Sequence, residues 1–116
     1  EAKLFIQQEI LAGKYELVWS YILEYENELN PFDARKEAIL EWKLISVIDV
    51  EEKNKIIDLA KEFTRKGIKA KDALHIACAI ESNSDYFITT DKKLLNFNVE
   101  SLKIVNPINF VEEMEG

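Results

Sequence analysis

Cysteine, histidine and the residues that interrupt regular structure are scarce in this chain. Its 116 residues include one Cys, 3 Gly and 2 Pro, and one His. With Cys78 alone, no intrachain disulfide can form, and with His75 as the only histidine no zinc cluster of Cys and His ligands can be assembled. On a stretch rich in Ala and Ile, Cys78 reads as a small buried residue, which argues against a cysteine-nucleophile hydrolase. No apolar run approaches the roughly 18 residues of a membrane span, and no basic-apolar-small leader stands at the start. A soluble, cytoplasmic protein with no membrane role is the expectation.

Excess positive charge is also lacking. Lys and Arg number 15 against 22 Asp and Glu, a net charge of −7 with a pI near 4.8. That balance weighs against a protein whose main task is to hold long duplex through phosphate contacts. It leaves room for a nuclease, because clustered carboxylates are what a divalent cation requires. Basic residues are nevertheless concentrated locally. Lys61, Arg65, Lys66, Lys69 and Lys71 stand close together, and Lys92 and Lys93 form a second pair. They read either as solvated helix faces or as a phosphate-attracting surface.

What is abundant is apolar residues, 47% of the chain, in short stretches of changing period. The length suits one domain spanning residues 1–116. Ala2 to Ala12 has helical spacing stopped by Gly13, and Tyr15 to Trp19 reads as a strand. Ser20 is placed to cap a helix ending before Asn30-Pro31. In that helix Ile22, Tyr25, Glu26 and Leu29 share a stripe predicted to face inward, while Glu24 and Glu28 are expected outward. A carboxylate on an apolar stripe is costly to bury unaided, so Glu26 is the acid that needs a partner.

Asp33 is a candidate cap for the next helix, Leu44 to Ile48 for a second strand, and Asp49 with Glu52 for a capping-box start to a helix ended by Gly67. A helix from about Asp72 to Ser82 follows, then a strand Tyr86 to Ile88, a loop through Phe97, a strand Leu102 to Val105 and a last helix opened by Asn106-Pro107. Strands and helices alternate with short connections, the pattern of a parallel sheet covered on both faces.

The stretch from Lys71 to Asp91 organises this pattern. At about 1.5 Å per helical residue and about 3.3 Å per strand residue, helix and strand each cover roughly 16 to 20 Å, so Asp72 and Asp91 return to one edge of the fold. That edge is the carboxyl end of a strand, where open α/β sheets bind their ligands. Each acid has a plainer reading: Asp72 as a first-turn acid favoured by the helix dipole, Asp91 as a turn residue or N-cap. Thr89 suits a strand by its branching alone, and Asp85, at the other end of its strand, reads as structural. His75 reads as a hydrogen-bonded packing residue, with a fourth ligand as the alternative.

Asp72-Ala73-Leu74-His75-x-Ala77, then Asp85-Tyr86-Phe87-Ile88-Thr89-Thr90-Asp91-Lys92-Lys93-Leu94, and later Val105-Asn106-Pro107-x-x-Phe110 resemble the second half of a PIN domain, the nuclease family that includes VapC-type toxins. The resemblance implies a three-layer α/β/α fold with a mostly parallel central sheet. It implies catalytic and metal-binding roles for Glu26, Asp72 and Asp91, a supporting hydroxyl at Thr89, and Mg²⁺ or Mn²⁺ as cofactor. Lys69, Lys71, Lys92 and Lys93 become candidates for contact with an RNA substrate. Hydrolysis of RNA by the toxin of a toxin-antitoxin pair, an antitoxin partner and a homodimer are implied in the same way. The family also opens with a strand carrying a further site Asp, and that strand has no counterpart upstream of Glu1. A degenerate PIN-like module that binds a protein and cleaves nothing is therefore the competing expectation.

Overall fold

Three of the four residues in Ala73-Leu74-His75-Ile76 and both residues that follow have small or apolar side chains, and this run makes the helix on which the fold is assembled. In the computed structural model, which describes residues 1–116, it lies in a helix Ala70–Glu81 whose Ala73, Ile76, Ala77 and Cys78 are all sealed from solvent. In chain order the elements are α1 (Ala2–Leu11), β1 (Val18–Ser20), α2 (Tyr21–Glu28), α3 (Asp33–Ile45), β2 (Ile48–Val50), α4 (Asn54–Arg65) and α5 (Ala70–Glu81). The remainder are β3 (Tyr86–Ile88), α6 (Lys92–Leu95), β4 (Lys103–Val105) and α7 (Pro107–Glu115). The α/β class expected from the alternation is the one observed.

The strands are short and form two parallel pairs rather than one continuous sheet. In the first, Val18, Trp19 and Ser20 pair with Ile48, Asp49 and Val50; in the second, Tyr86, Phe87 and Ile88 pair with Lys103, Ile104 and Val105. No ladder joins the pairs to each other. α5 packs against β1 and β3 alike, so one helix spans both pairs.

The main core lies between α4, α5 and the strands. Ile56, Ala60 and Phe63 of α4 meet Ile76, Ala77 and Cys78 of α5, with Val50, Ile68, Leu94 and Leu102 closing the margins. Ile56 and Ile76 are the largest side chains that are fully enclosed. A smaller cluster of Ile6, Val105 and Phe110 ties α1 and α7 to β4. There the Phe110 ring meets Tyr86 and Tyr15 edge to face at 4.9 and 5.2 Å, the arrangement favoured by ring quadrupoles. Gly67, at φ +97°, provides the left-handed residue that ends α4, and Asn83, at φ 57°, does the same after α5.

Several boundaries differ from the sequence pattern. The run Leu44 to Ile48 does not form a strand as a unit: Leu44 and Ile45 complete α3, whose end Ser46 secures by donating its hydroxyl to the Lys43 carbonyl at 2.7 Å. β2 starts only at Ile48, in the register that buries Val50 against the core. Asp49 therefore lies in β2, and α4 starts after Lys53 without a side-chain cap. Asp33 is the first residue of α3, not its cap. The strand expected over Tyr15 to Trp19 is displaced to Val18–Ser20, and the expected loop to Phe97 contains the short α6. No helix is long and apolar enough to cross a membrane.

Because Ile76 is completely enclosed by other core side chains, Ile76→Ala is expected to cost about 2–5 kcal/mol of stability. Leu44→Ser, at a position 84% exposed, is expected to stay within about 0.5 kcal/mol. Urea unfolding monitored by circular dichroism measures both.

Candidate functional site

α2 carries Glu24, Glu26 and Glu28 at alternate positions, and the fold gives each a different surrounding. Glu24 is drawn inward: its Oε1 accepts from the buried Trp19 indole at 3.0 Å and from Lys43 Nζ at 2.6 Å. Lys43 first and Trp19 second hold its carboxyl below the usual carboxylate range. This overturns the expectation that Glu24 faces outward. Glu28 is exposed, as the helical spacing requires. The stripe expected to face inward is turned instead, with Tyr25 and Leu29 at 51% and 60% exposure and Asn27 buried in their place. Asn27 Nδ2 donates to the Lys36 carbonyl at 3.1 Å, which anchors α2 to α3.

Glu26, half-buried, reaches α5. Its Oε1 lies 2.7 Å from His75 Nε2, and because a carboxylate only accepts, the imidazole donates through that nitrogen. Asp72 stands one turn before His75 on the same side of α5, in the first turn, where the helix dipole favours an acid. Lys71 Nζ sits 5.9 Å from the centroid of the Tyr25 ring, a second contact between the same parts of α2 and α5. The expectation that Glu26 needs a partner is met, and its partner is His75. Sequence reading placed His75 as a packing residue and missed this link, because residues 49 positions apart give no local signal.

At the end of β3, Asp91 is the N-cap of α6. Its Oδ1 accepts from the backbone N–H of Lys93 at 2.8 Å and of Leu94 at 3.3 Å, which leaves Oδ2 outside the cap. Thr89 Oγ1 accepts from the Asp91 N–H at 3.1 Å, shaping the turn that presents the acid. The plainer reading of Asp91 as an N-cap is therefore realised, and Thr89 serves the turn.

Carboxylate oxygens suit hard divalent cations. Here, however, no three His, Cys, Asp or Glu side chains converge closely enough to hold an ion between them. Glu26 and Asp72 form at most a two-acid patch, with Asp91 engaged at α6. A closed cage of protein ligands is therefore not what these residues build. Two carboxylates open to solvent correspond to the looser arrangement in which Mg²⁺ keeps several waters and takes substrate phosphates as further ligands. Lys69, Lys71, Lys92 and Lys93 are exposed and none of them forms an ion pair. Asp85, also exposed, begins β3 away from this patch and receives the Lys103 N–H on its carbonyl at 3.1 Å.

Cys78 is remote from such chemistry. It is 2% exposed, and burial pushes its thiol up to about 11, against a smaller downward effect of a hydrogen bond to Ser20. Only the thiolate is a good nucleophile, so this thiol is inert near neutral pH.

Compared with known families, residues 3–100 match the model described as PIN domain. No curated protein and no solved structure matches the chain.

Two outcomes follow from this geometry. Asp91→Ala is expected to destabilise the protein by about 1 kcal/mol through loss of the α6 cap, whereas Asp91→Asn keeps most of the stability, as chemical denaturation of the three proteins would show. Cys78 is expected to resist labelling by a disulfide reagent at pH 7.5 in the folded protein and to react fully in denaturant; fast native-state labelling would contradict its enclosure.

Proposed function

Since the chain belongs to the PIN-domain family, whose members are commonly nucleases, we propose that it hydrolyses RNA phosphodiester bonds with the help of Mg²⁺ or Mn²⁺. The observation that supports this most is the patch on which α2 and α5 present Glu26 and Asp72 side by side across the His75 link. Glu26 and Asp72 would hold the ion, with the free oxygen of Asp91 as a third acid at the edge. An ion bound there supplies charge neutralisation and a polarised water.

The chain's own groups provide the remainder. Lys69 and Lys71 at the start of α5, and Lys92 and Lys93 at α6, offer positive charge to a phosphate backbone approaching the carboxylates. The α6 backbone holds Asp91 in one orientation, so its second oxygen stays available while the first is occupied. No side chain is required as the nucleophile, and the enclosed Cys78 is unsuited to be one. Water is the attacking group in this reading.

The same reading, carried over from the resemblance, makes the protein a cytoplasmic toxin of a toxin-antitoxin pair, a homodimer whose site an antitoxin protein covers. One observation favours a second reading. The acids lack a closed three-donor set, and Tyr25, Leu29 and Phe32 beside Glu26 are exposed apolar groups, which suits a PIN-like module that binds a protein partner without cleavage.

Incubation of the purified protein with RNA in Mn²⁺, Mg²⁺ or EDTA decides between them. Metal-dependent cleavage is expected, with Asp72→Asn losing more than the roughly 10–100-fold that changes outside the ligand set cost. Absence of cleavage by a folded protein that retains its circular dichroism spectrum would favour the binding module.

A further inference from the structure

Of the groups around the two acids, His75 is the one whose placement the proposed reaction leaves unused. It is the only histidine, its side chain is 16% exposed, and its Nε2 is aimed at a single atom, Glu26 Oε1, at 2.7 Å. The two belong to different helices joined by few other polar contacts. Glu26 on an eight-residue helix with exposed Tyr25 and Leu29 around it has no apolar packing to fix its rotamer. What fixes it is the imidazole, anchored on α5 between Ala73, Ile76 and Ala77, all of them at 0% exposure.

We propose that His75 is the positioning residue of the site: its N–H holds one oxygen of Glu26 so that the other faces the patch shared with Asp72. The inference rests on the reading of Glu26 and Asp72 as cation-binding acids. A freely rotating Glu side chain must lose its rotamer freedom each time it takes up an ion, and a hydrogen bond from a buried, rigidly held donor removes much of that cost beforehand. The link also explains why Glu26 needs no lysine or arginine partner. A long cationic side chain at this point would neutralise both oxygens and leave none for an ion, whereas a ring N–H occupies only one.

Two substitutions at one position separate positioning from packing. His75→Phe keeps an aromatic ring and removes the donor; His75→Gln keeps an N–H that reaches about where Nε2 does. The probe is Mn²⁺ alone, titrated into the full chain and followed by the electron paramagnetic resonance of free Mn²⁺, with thermal melting of each variant in the absence of metal. The expected result is a Kd for Mn²⁺ at least about 10-fold higher in His75→Phe and within about 3-fold of the parent in His75→Gln, in line with the loss that follows removal of a group orienting a ligand. On a Glu26→Gln background, His75→Phe should add no further loss, because the two residues act as one unit.

The inference is overturned if His75→Phe binds Mn²⁺ as tightly as the parent or more tightly, if His75→Gln is as weak as His75→Phe, or if the effects of the two sites simply add. Failure of the parent protein itself to bind Mn²⁺ would remove the cation reading and this inference with it. That result is distinct from one in which the parent binds and His75 proves indifferent.

Discussion

The burial of one face of α5 is the constraint on which the rest of the structure depends. Ala73, Ile76, Ala77 and Cys78 are small or compact, and their size lets α4 on one side and the strands on the other approach the helix closely. Interiors pack at crystal-like density, so a larger residue at Ala73 or Ala77 would push these layers apart and a smaller one at Ile76 would leave a void. The two strand pairs are not hydrogen-bonded to each other, and their relative placement is set by this helix instead. The same helix carries Asp72 and His75 on its less buried side. Core and candidate site are two faces of one element, and the rigidity of the first is what gives the second its geometry.

Outside that core the burial is thin. Only 19 of 116 residues are buried, and the molecule is flattened, with principal extents of 37 × 36 × 23 Å. α3 buries none of its residues, although it runs from Asp33 to Ile45. It is held by polar links: Asn27 to the Lys36 carbonyl, Lys36 Nζ to the Glu28 carbonyl, and Lys43 to Glu24. Exposed hydrogen bonds and ion pairs each contribute little, so α3 is fastened less firmly than α4 or α5. A helix with so little buried area opens locally at a lower free energy than the core does.

The extent to which the fold was legible in the sequence followed the same division. The α5-to-β3 unit lies close to where its periodicity places it, because there the apolar spacing, the Asn83 turn and the strand all demand the same arrangement. The Asn106 cap and Pro107 start of α7 were equally plain, since Asn106 Oδ1 accepts the Asn109 N–H at 2.7 Å as the motif requires. α2 was misread for a physical reason. Its apolar residues lie on more than one side, and an eight-residue helix is too short for period alone to choose the inner face. Tertiary contacts of Asn27, Glu24 and Glu26 with distant residues made the choice. Leu44 to Ile48 was ambiguous in the same way, because β-branched residues serve the end of a helix as well as a strand when a hydroxyl such as that of Ser46 closes the turn.

The candidate site was legible as a set of acids and not as an arrangement of them. Asp72 and Asp91 were drawn to one edge by the lengths of α5 and β3, and Glu26 was singled out by the cost of placing a carboxylate among apolar neighbours. What spacing cannot supply is the group that answers each charge. Glu24 and Glu26 are two residues apart, yet one is held by a lysine and an indole from neighbouring parts of the chain, and the other by a histidine from α5. The difference matters for chemistry. A carboxylate neutralised by an ammonium has given up its charge to the fold, whereas one that accepts a single ring N–H retains an oxygen and, with a neutral ring, its negative charge. Asp91 keeps an oxygen free in the same manner, because backbone N–H groups take only its Oδ1. Both acids are thus oriented by donors that leave their charge in place, and local negative potential that the fold does not neutralise is what attracts a divalent cation.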